Sequence, residues 1–244
     1  MTGSIRLFVE APLQSGTEVN ATPEQAHYLG SVMRRSVGDV VVLFNGRDGE
    51  WQAEITTLKR DQGHFEPRLQ LRPQPVEPAL ILLFALLKRD ATNLVIEKAT
   101  ELGVTLIRPL FTERTNAGRI NLDRAVAIAR EAAEQCERLS VPEILAPMRL
   151  LDCLGTWPHD RVLCAAIERS DAAGPASRHD PACLLVGPEG GFTPAELDAL
   201  RRLPFIEPVG LGPRVLRAET AVIVGLALLQ AAPAVMAHAP EIPS

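Results

Sequence analysis

Two hydrophobic patterns follow one another along the chain, and they predict two different architectures. Up to residue 72, short runs rich in β-branched and aromatic residues predict β-strands at 5–9, 40–44, 51–58 and 65–71. One helix interrupts them, because Thr22, Pro23 and Gln25 form a capping-box start signal and residues 27–35 follow it. This part of the chain therefore predicts a small β-barrel with one helix.

From residue 79 onward, strand-like apolar runs alternate with helical ones, which is typical of an α/β domain with a parallel sheet. The predicted strands lie at 79–87, 104–111, 161–167, 182–186 and 205–211, and the predicted helices at 92–102, 121–138, 193–203 and 218–231. Gly103 stands where a C-terminal helix cap is expected. The segment "RPQPVEP" separates the two patterns with three prolines, which stiffen a chain and remove donors. We therefore predict domains at 1–72 and 79–244, joined by a linker at 73–78.

The composition narrows the class of protein. Hydrophobic residues make up 46% and charged residues 23% of the chain, as in an ordinary soluble globular protein. We expect a cytoplasmic protein without membrane contact, because no apolar run could span a bilayer and no signal peptide is visible. The four cysteines are scattered and no histidine pair lies near them, so we expect reduced thiols and no metal site. A net charge of -5 argues mildly against a nucleic-acid partner, although it leaves room for a local basic patch.

The stretch "LLVGPEGGFTPAEL", residues 184–197, predicts a ligand-binding loop. A buried strand ends at Gly187, and Thr193 begins a helix with its own capping box. Open α/β sheets bind their ligands at the carboxyl ends of parallel strands. Glycines at such an edge permit positive φ angles and let a ligand approach bare backbone. A tight turn without any ligand is the alternative interpretation.

A second loop of this kind, "VGLGPRVLRAET", covers residues 209–220. Neither loop carries the dinucleotide fingerprint after a first strand, and the G-K-[ST] of a Walker loop is absent. We therefore expect a ligand without phosphates that is recognised by backbone groups. The helix that follows is apolar nearly all round, which indicates burial against the sheet or against a partner subunit.

Five segments in the same order resemble the RsmE family of 16S ribosomal RNA (uracil-N3) methyltransferases, in the SPOUT superfamily. They are the two loops just described, "KATELGV" from Lys98, "PLFTERT" from Pro109 and "EQCERLSVPEI" from Glu134. The resemblance runs from about residue 6 to residue 230. It has one visible departure, because Glu137 stands where the family usually has glycine.

This resemblance implies a PUA-like RNA-binding barrel, a SPOUT domain with a trefoil knot, and a homodimer that acts on 16S rRNA within the small ribosomal subunit. It also implies that S-adenosylmethionine is the methyl donor. The residues it places around that cofactor are Ile167, Gly187, Glu189, Gly190, Gly191, Leu211, Gly212, Val215 and Leu216.

Methylation at uracil N3 requires removal of a weakly acidic proton or stabilisation of the resulting anion. Arg214 and Arg217 lie in the second loop, and a role at uracil oxygens or at phosphate competes with a structural pairing to Glu219 or to a helix end. Glu219 is also the nearest candidate for the base.

Several residues are candidate RNA contacts. Arg114, Glu134, Gln135 and Arg138 match family positions that face the RNA cleft, although Glu134 and Arg138 could simply form an i,i+4 pair. Arg6, Arg34, Arg35 and Lys88 complete a hypothetical basic track. Arg34 and Arg35 could equally complement a helix dipole.

Two other functions stay open from the sequence. One is a SPOUT methyltransferase that modifies a different RNA, for example at a ribose 2′-hydroxyl. The other is a non-catalytic RNA-binding or assembly factor, which need not bind S-adenosylmethionine.

Overall fold

A computed structural model describes residues 5–168 and 181–231. The chain forms two compact units. The first consists of the residues up to Glu77 together with Ala127–Val141, and the second of Pro78–Val126 and the residues from Pro142 onward. No sequence pattern indicates that residues 127–141 belong with the N-terminal part of the chain.

The first unit contains a five-stranded sheet in the order β1-β3-β4-β5-β2. Its strands are β1 (Arg6–Phe8), β2 (Val19–Asn20), β3 (Val40–Phe44), β4 (Glu50–Lys59) and β5 (Gln62–Arg72). Strands β1 and β3 are parallel and the other pairs are antiparallel. The side chains of Leu43, Ile55 and Phe65 are fully buried and form the centre of its core. The predicted strands are confirmed, whereas closure of this sheet into a barrel stays a prediction.

The predicted capping box begins helix α1 (Pro23–His27), where the Thr22 hydroxyl accepts from the Gln25 amide and the Gln25 side chain accepts from the Thr22 amide. A π-helical turn, Tyr28–Val32, continues it. The helix was predicted to reach residue 35, which is wrong. Arg34 has a φ of 53°, and this left-handed conformation ends the helical path before it.

The second unit contains a seven-stranded sheet in which every pairing is parallel, as predicted. The strands run in the order β12-β10-β11-β6-β7-β8, and β9 also pairs with β7. They are β6 (Leu80–Ala85), β7 (Leu106–Phe111), β8 (Glu143–Ile144), β9 (Met148–Arg149), β10 (Leu163–Glu168), β11 (Ala182–Val186) and β12 (Ile206–Gly210).

Helices cover both faces of this sheet. They are α2 (Arg89–Glu101), α4 (Leu150–Gly155), α5 (Pro194–Arg202) and α6 (Ala218–Ala231), whereas α3 (Leu122–Gln135) begins in this unit and continues into the first. Because side chains alternate along a strand, Leu184 packs in one core with residues of α2 and α6, whereas Leu185 packs in another with residues of α4 and α5. A Cβ on Gly225 of α6 would lie 2.7 Å from the Leu184 side chain, so glycine lets that helix approach the sheet closely.

The predicted helix positions are confirmed within a few residues. Gly103 has a φ of 74° directly after α2, as expected for a helix C-terminal cap. The two-residue strands β2, β8 and β9 and the short helix α4 were not predicted, because segments of this length carry too little hydrophobic periodicity to be recognised.

Candidate active site

Both glycine-bearing loops line one cleft at the carboxyl edge of the parallel sheet. The cleft measures about 270 Å³ and lies where β10, β11 and β12 end. Of the nine residues expected around a cofactor, eight line it, namely Ile167, Glu189, Gly190, Gly191, Leu211, Gly212, Val215 and Leu216. Five further residues line it: Ala166, which neighbours Ile167, Arg214, which was a candidate contact for uracil oxygens or phosphate, and Pro188, Pro213 and Ala221, which were not anticipated. We call this the glycine cleft.

Two of its glycines have backbone conformations that other residues rarely adopt. Gly191 has a φ of 67° and Gly212 a φ of 106°. A Cβ added to either would meet no atom within 4 Å, so the space beside both is open. These glycines therefore satisfy the two requirements predicted for the loop, positive φ and an unobstructed approach to main chain.

Gly187 and Gly190 differ from this expectation. Gly187 does not line the cleft, and a Cβ there would lie 2.9 Å from the Phe192 ring. Gly187 therefore allows the loop to fold over the buried Phe192 side chain, which packs in the core beneath. Gly190 does line the cleft, but its φ is not positive and a Cβ would make only an ordinary contact with Arg114, at 3.5 Å.

Arg114 holds the first loop in place. Its Nη1 donates to the carbonyl oxygen of Gly190 at 2.8 Å and approaches the carbonyl of Phe192 at 3.4 Å. Since a guanidinium bond to a carbonyl is charge-assisted, this contact fixes the loop more firmly than a neutral hydrogen bond would. The sequence analysis made Arg114 an RNA contact, whereas the structure places it against the backbone of the glycine cleft.

The other end of the loop is fixed by the predicted capping box. The Thr193 hydroxyl accepts from the Glu196 amide, and the Glu196 carboxylate accepts from the Thr193 amide at 2.8 Å. The same carboxylate accepts from the Glu113 amide at 2.9 Å and is buried. The loop is thus held at both ends, by Arg114 and by Glu196.

The candidate catalytic residues lie at the start of α6. The Arg217 carbonyl accepts from the Ala221 amide at 2.8 Å, which places this exposed arginine immediately before the helix. Glu219 is half-buried in the first turn. Within the described residues no ion pair joins Arg214 or Arg217 to Glu219. The alternative pairing with Glu219 therefore has no contact to support it, whereas the alternative of a place at a helix end fits Arg217, which directly precedes α6.

Three of the predicted RNA contacts bind partners within the first unit, two of them with buried guanidinium groups. The Arg6 guanidinium is buried, forms an ion pair with Glu50 and donates to the Arg138 carbonyl. Arg138 is also buried, and its guanidinium donates to Glu77 at 2.7 Å. The Glu134 carboxylate accepts from the Phe8 amide at 2.8 Å. Glu134 accepts from Phe8 whereas Arg138 pairs with Glu77, so neither of these contacts is the i,i+4 pair.

Burial sets the pKa of two of these groups. Desolvation, followed by the nearby charge of Arg72, lowers the pKa of Arg6 from its ordinary value. Desolvation raises the pKa of Glu134, and the Phe8 amide opposes this only in part. Burial is the largest cause of both shifts, and burial is unfavourable for a charge meant to contact phosphates.

The remaining predicted RNA contacts are accessible. Arg34 and Gln135 are exposed, and Arg35 lines a cleft of the first unit together with Lys59 and Arg60. Lys88 is exposed beside the N-terminus of α2 in the second unit.

None of the four thiols lines the glycine cleft. Cys153, Cys164 and Cys183 are buried, as expected, and only Cys136 is exposed. Burial raises the pKa of Cys164 to about 11 and that of Cys183 to about 12, so both thiols stay protonated at neutral pH. In the described ranges, no three His, Cys, Asp or Glu side chains are grouped to hold a metal ion. No helix among the described residues is long and apolar enough to span a bilayer.

Comparison with known proteins identifies both parts of the chain. Residues 73–230 match the RNA methyltransferase domain family, and residues 21–67 match the RNA methyltransferase PUA domain. The ribosomal RNA small subunit methyltransferase E of Rickettsia conorii is 32% identical over 229 residues, which are 91% of this chain and 93% of that protein. The Bacillus subtilis protein of the same name is 27% identical, over 92% and 95% of the two chains.

Two solved structures resemble this one over nearly their whole length. A Legionella pneumophila protein with the cofactor SAM bound superposes with a TM-score of 0.85 at 30% identity, covering 95% of this chain and 98% of that one. The ribosomal RNA small subunit methyltransferase E of Neisseria gonorrhoeae, bound to S-adenosyl methionine, gives a TM-score of 0.81 at 27% identity, over 93% and 97%.

Proposed function

The chain belongs to the family of ribosomal RNA small subunit methyltransferases E, and we propose that it methylates N3 of a uridine in 16S rRNA with S-adenosylmethionine as the methyl donor. One observation is the main support for this proposal. Two loops with unobstructed, positive-φ glycines meet at the carboxyl ends of three parallel strands, where α/β sheets bind ligands.

The glycine cleft suits S-adenosylmethionine chemically. Its volume of about 270 Å³ lies just below the roughly 300–1,000 Å³ of small-molecule sites. Val215 is 78% exposed there, so an adenine ring placed over it would cover apolar surface. The open main chain at Gly191 and Gly212 offers donors and acceptors to polar edges. Glu189 supplies one carboxylate near a cofactor that carries a positive sulfonium.

S-adenosylmethionine brings a methyl group on a sulfonium, so the protein's task is mainly alignment. Hydrogen bonds from Arg114 and to Glu196 hold the first loop at both ends, which supports alignment of the cofactor. We propose that Arg217, immediately before α6, stabilises the negative charge that develops on the uracil oxygens as N3 loses its proton. Glu219, half-buried in the first turn of α6, is our candidate for the base.

The finer features of the family are part of the same proposal. We propose a PUA-like RNA-binding domain at 1–72, a linker at 73–78 and a SPOUT domain with a trefoil knot at 79–244. Insertion of β11 between β6 and β10 supports this knotted topology. A homodimer is supported by the apolar surface of α6, where Leu228 is 38% exposed. Action on the small subunit would place the protein in the cytoplasm.

Methyl transfer to isolated small subunits and to protein-free 16S rRNA, both from a strain lacking this gene, tests the proposal. We expect labelled methyl from S-adenosylmethionine on one uridine, with mass spectrometry locating it on the base at N3. Methyl on a ribose 2′-hydroxyl would contradict the proposed chemistry, and the absence of transfer to either substrate would contradict the activity itself.

A further inference from the structure

The second unit contains a larger cleft, distinct from the glycine cleft, beside the N-termini of α2 and α3. It measures about 800 Å³. No residue lines both clefts. Its charged lining residues are Lys88, Arg89, Arg119 and Arg124, and no acidic residue is among its lining. We call it the basic cleft. In a chain with 30 acidic and 25 basic residues, such an unmixed lining gives this surface the opposite sign to the net charge.

The four cations of the basic cleft are available to a ligand. Each is exposed, and within the described residues none of their side chains forms a hydrogen bond or an ion pair. Asp90 and Asp123 lie next to them in sequence, but neither lines the cleft. An arginine kept for structure is usually paired, as Arg138 is with Glu77 in the first unit.

Two helix N-termini add to the positive potential. Helix α2 has 13 residues and begins after Lys88, whose side chain makes no capping hydrogen bond. Helix α3 has 14 residues, and Asn121 before it accepts from the Arg124 amide at 3.0 Å. Both N-terminal turns lie in the cleft wall. Each helix end carries a partial positive charge and unsatisfied amides that favour anions.

The lining also offers neutral donors and a small loop. Asn93 and Asn116 have no side-chain partner within the described residues, and Gly118 leaves open space where a Cβ would be. Phosphate oxygens accept from arginine, lysine, amide side chains and helix N-termini together, which is the set of donors present here. The basic cleft has a volume of about 800 Å³, compared with about 270 Å³ for the glycine cleft. This volume suits several linked anions better than a single one.

We propose that the basic cleft binds a run of backbone phosphates of the rRNA substrate. The proposal rests on the proposed function, which makes RNA the substrate. It explains how a protein with a net charge of -5 holds a polyanion. It also supplies the phosphate contacts that Arg6 and Arg138 cannot make, because their guanidinium groups are buried in ion pairs.

Fluorescence anisotropy with a 16S rRNA fragment over a series of salt concentrations tests this cleft. The double variant Arg119→Ala/Arg124→Ala should weaken RNA binding about tenfold at low salt. The slope of the logarithm of the association constant against log salt should become less negative by about one to two, because up to two phosphate contacts are lost. Lys88→Glu should weaken binding further. The affinity for S-adenosylmethionine, measured by calorimetry, should not change in either variant.

Arg202→Ala is the matched control, since Arg202 is exposed in the same unit and lies outside both clefts. Double and charge-reversal variants that bind RNA like this control would overturn the assignment. Poly-glutamate is the competitor that tests for an acidic protein partner. If it displaced RNA as well as free RNA does, and if the variants bound it as weakly as they bind RNA, the assignment to RNA would be overturned. Wild-type methyl transfer is scored in parallel. Transfer with unchanged slopes refutes the cleft alone, whereas cleft-dependent RNA binding without transfer supports the cleft and refutes the proposed activity.

Discussion

Arginines of the two units differ in their burial and in whether a carboxylate pairs with them. In the first unit, Arg6 and Arg138 are buried against carboxylates, with Glu50 and Glu77 as partners. In the second unit, the arginines of the basic cleft are exposed and have no partner within the described residues. A charged side chain therefore cannot be assigned to RNA from its type or its motif, because the position of its counter-charge decides whether it is available.

The largest effect expected from this contrast is the loss of a buried counter-charge. Glu50 is 6% exposed and is bound by both Arg6 and Arg72, the latter at 2.5 Å and 2.9 Å. Glu50→Gln keeps the shape but leaves Arg6 buried without its anion. We expect the free energy of unfolding to fall by about 3–5 kcal/mol, as for other broken buried pairs. Urea denaturation measures it.

Glu54→Gln is the control for this variant. Glu54 also binds an arginine, Arg68, at 3.1 Å, but that pair lies in solvent. Such exposed pairs contribute about 0–1 kcal/mol. Equal losses of stability in the two variants would show that burial does not distinguish them.

Arg114 tests the contrast between paired and available arginines within the second unit, because its guanidinium binds a backbone carbonyl. Arg114→Ala removes the bond to the Gly190 carbonyl. A charge-assisted bond contributes about 1.5–3 kcal/mol. Because this bond is exposed, we expect the lower end of that range and an affinity for S-adenosylmethionine about tenfold lower by calorimetry. Arg114→Lys should recover part of it. Weaker RNA binding with unchanged cofactor affinity would instead restore Arg114 as an RNA contact.

Glu134 sharpens the same contrast through pH. Burial raises its pKa above the ordinary 4.5, so the folded state binds this proton more tightly than the unfolded chain does. The wild-type protein therefore loses stability from this group as the pH rises through 4.5 toward the folded-state pKa. Glu134→Gln has no such proton, so its stability relative to wild type should increase from pH 4 to pH 7 in urea denaturation. If the stability of Glu134→Gln relative to wild type instead fell from pH 4 to pH 7, the surroundings would stabilise the charged carboxylate, and its folded-state pKa would not be raised.

The smallest effect concerns Glu137, where the family usually has glycine. Its φ is 60°, just after α3 ends at Gln135, in the position of a helix C-terminal cap. The Arg72 side chain donates to its carbonyl, so the turn keeps its shape despite the substitution. Glu137→Gly should relieve the left-handed strain and raise the free energy of unfolding by about 1 kcal/mol. No gain in thermal or urea stability would show that the Arg72 contact already offsets the strain.

Sequence reasoning predicted local features of the fold well. The capping boxes at Thr22 and Thr193, the all-parallel sheet and the alignment of two glycine loops at one edge all follow from short-range patterns and from the rule for parallel strands. It could not distinguish the packing role of Gly187 from the open, positive-φ conformation of Gly191. The difference depends on φ and on where the Phe192 ring lies, and neither is written in the local sequence.

Partners that are distant in sequence were the other gap. Arg6 meets the Arg138 carbonyl across 132 residues, and no periodicity connects these positions. The basic cleft was missed for a similar reason. Lys88 was recognised as a basic residue, but Arg119 and Arg124 join it only because the ends of α2 and α3 lie together. A count of acids and bases along the chain hides this cluster within a net negative charge.

The central claim is that bare main chain in the glycine cleft holds S-adenosylmethionine, and calorimetric titration of Gly191→Val with this cofactor tests it most directly. A β-branched side chain there must adopt a φ near 67° and occupy open space in the cleft. Backbone strain of about 1–3 kcal/mol and the lost space should together lower the affinity at least a hundredfold. Gly155→Val, at a glycine without positive φ or close neighbours, should bind as the wild type does. A folded Gly191→Val protein with wild-type affinity would contradict the account.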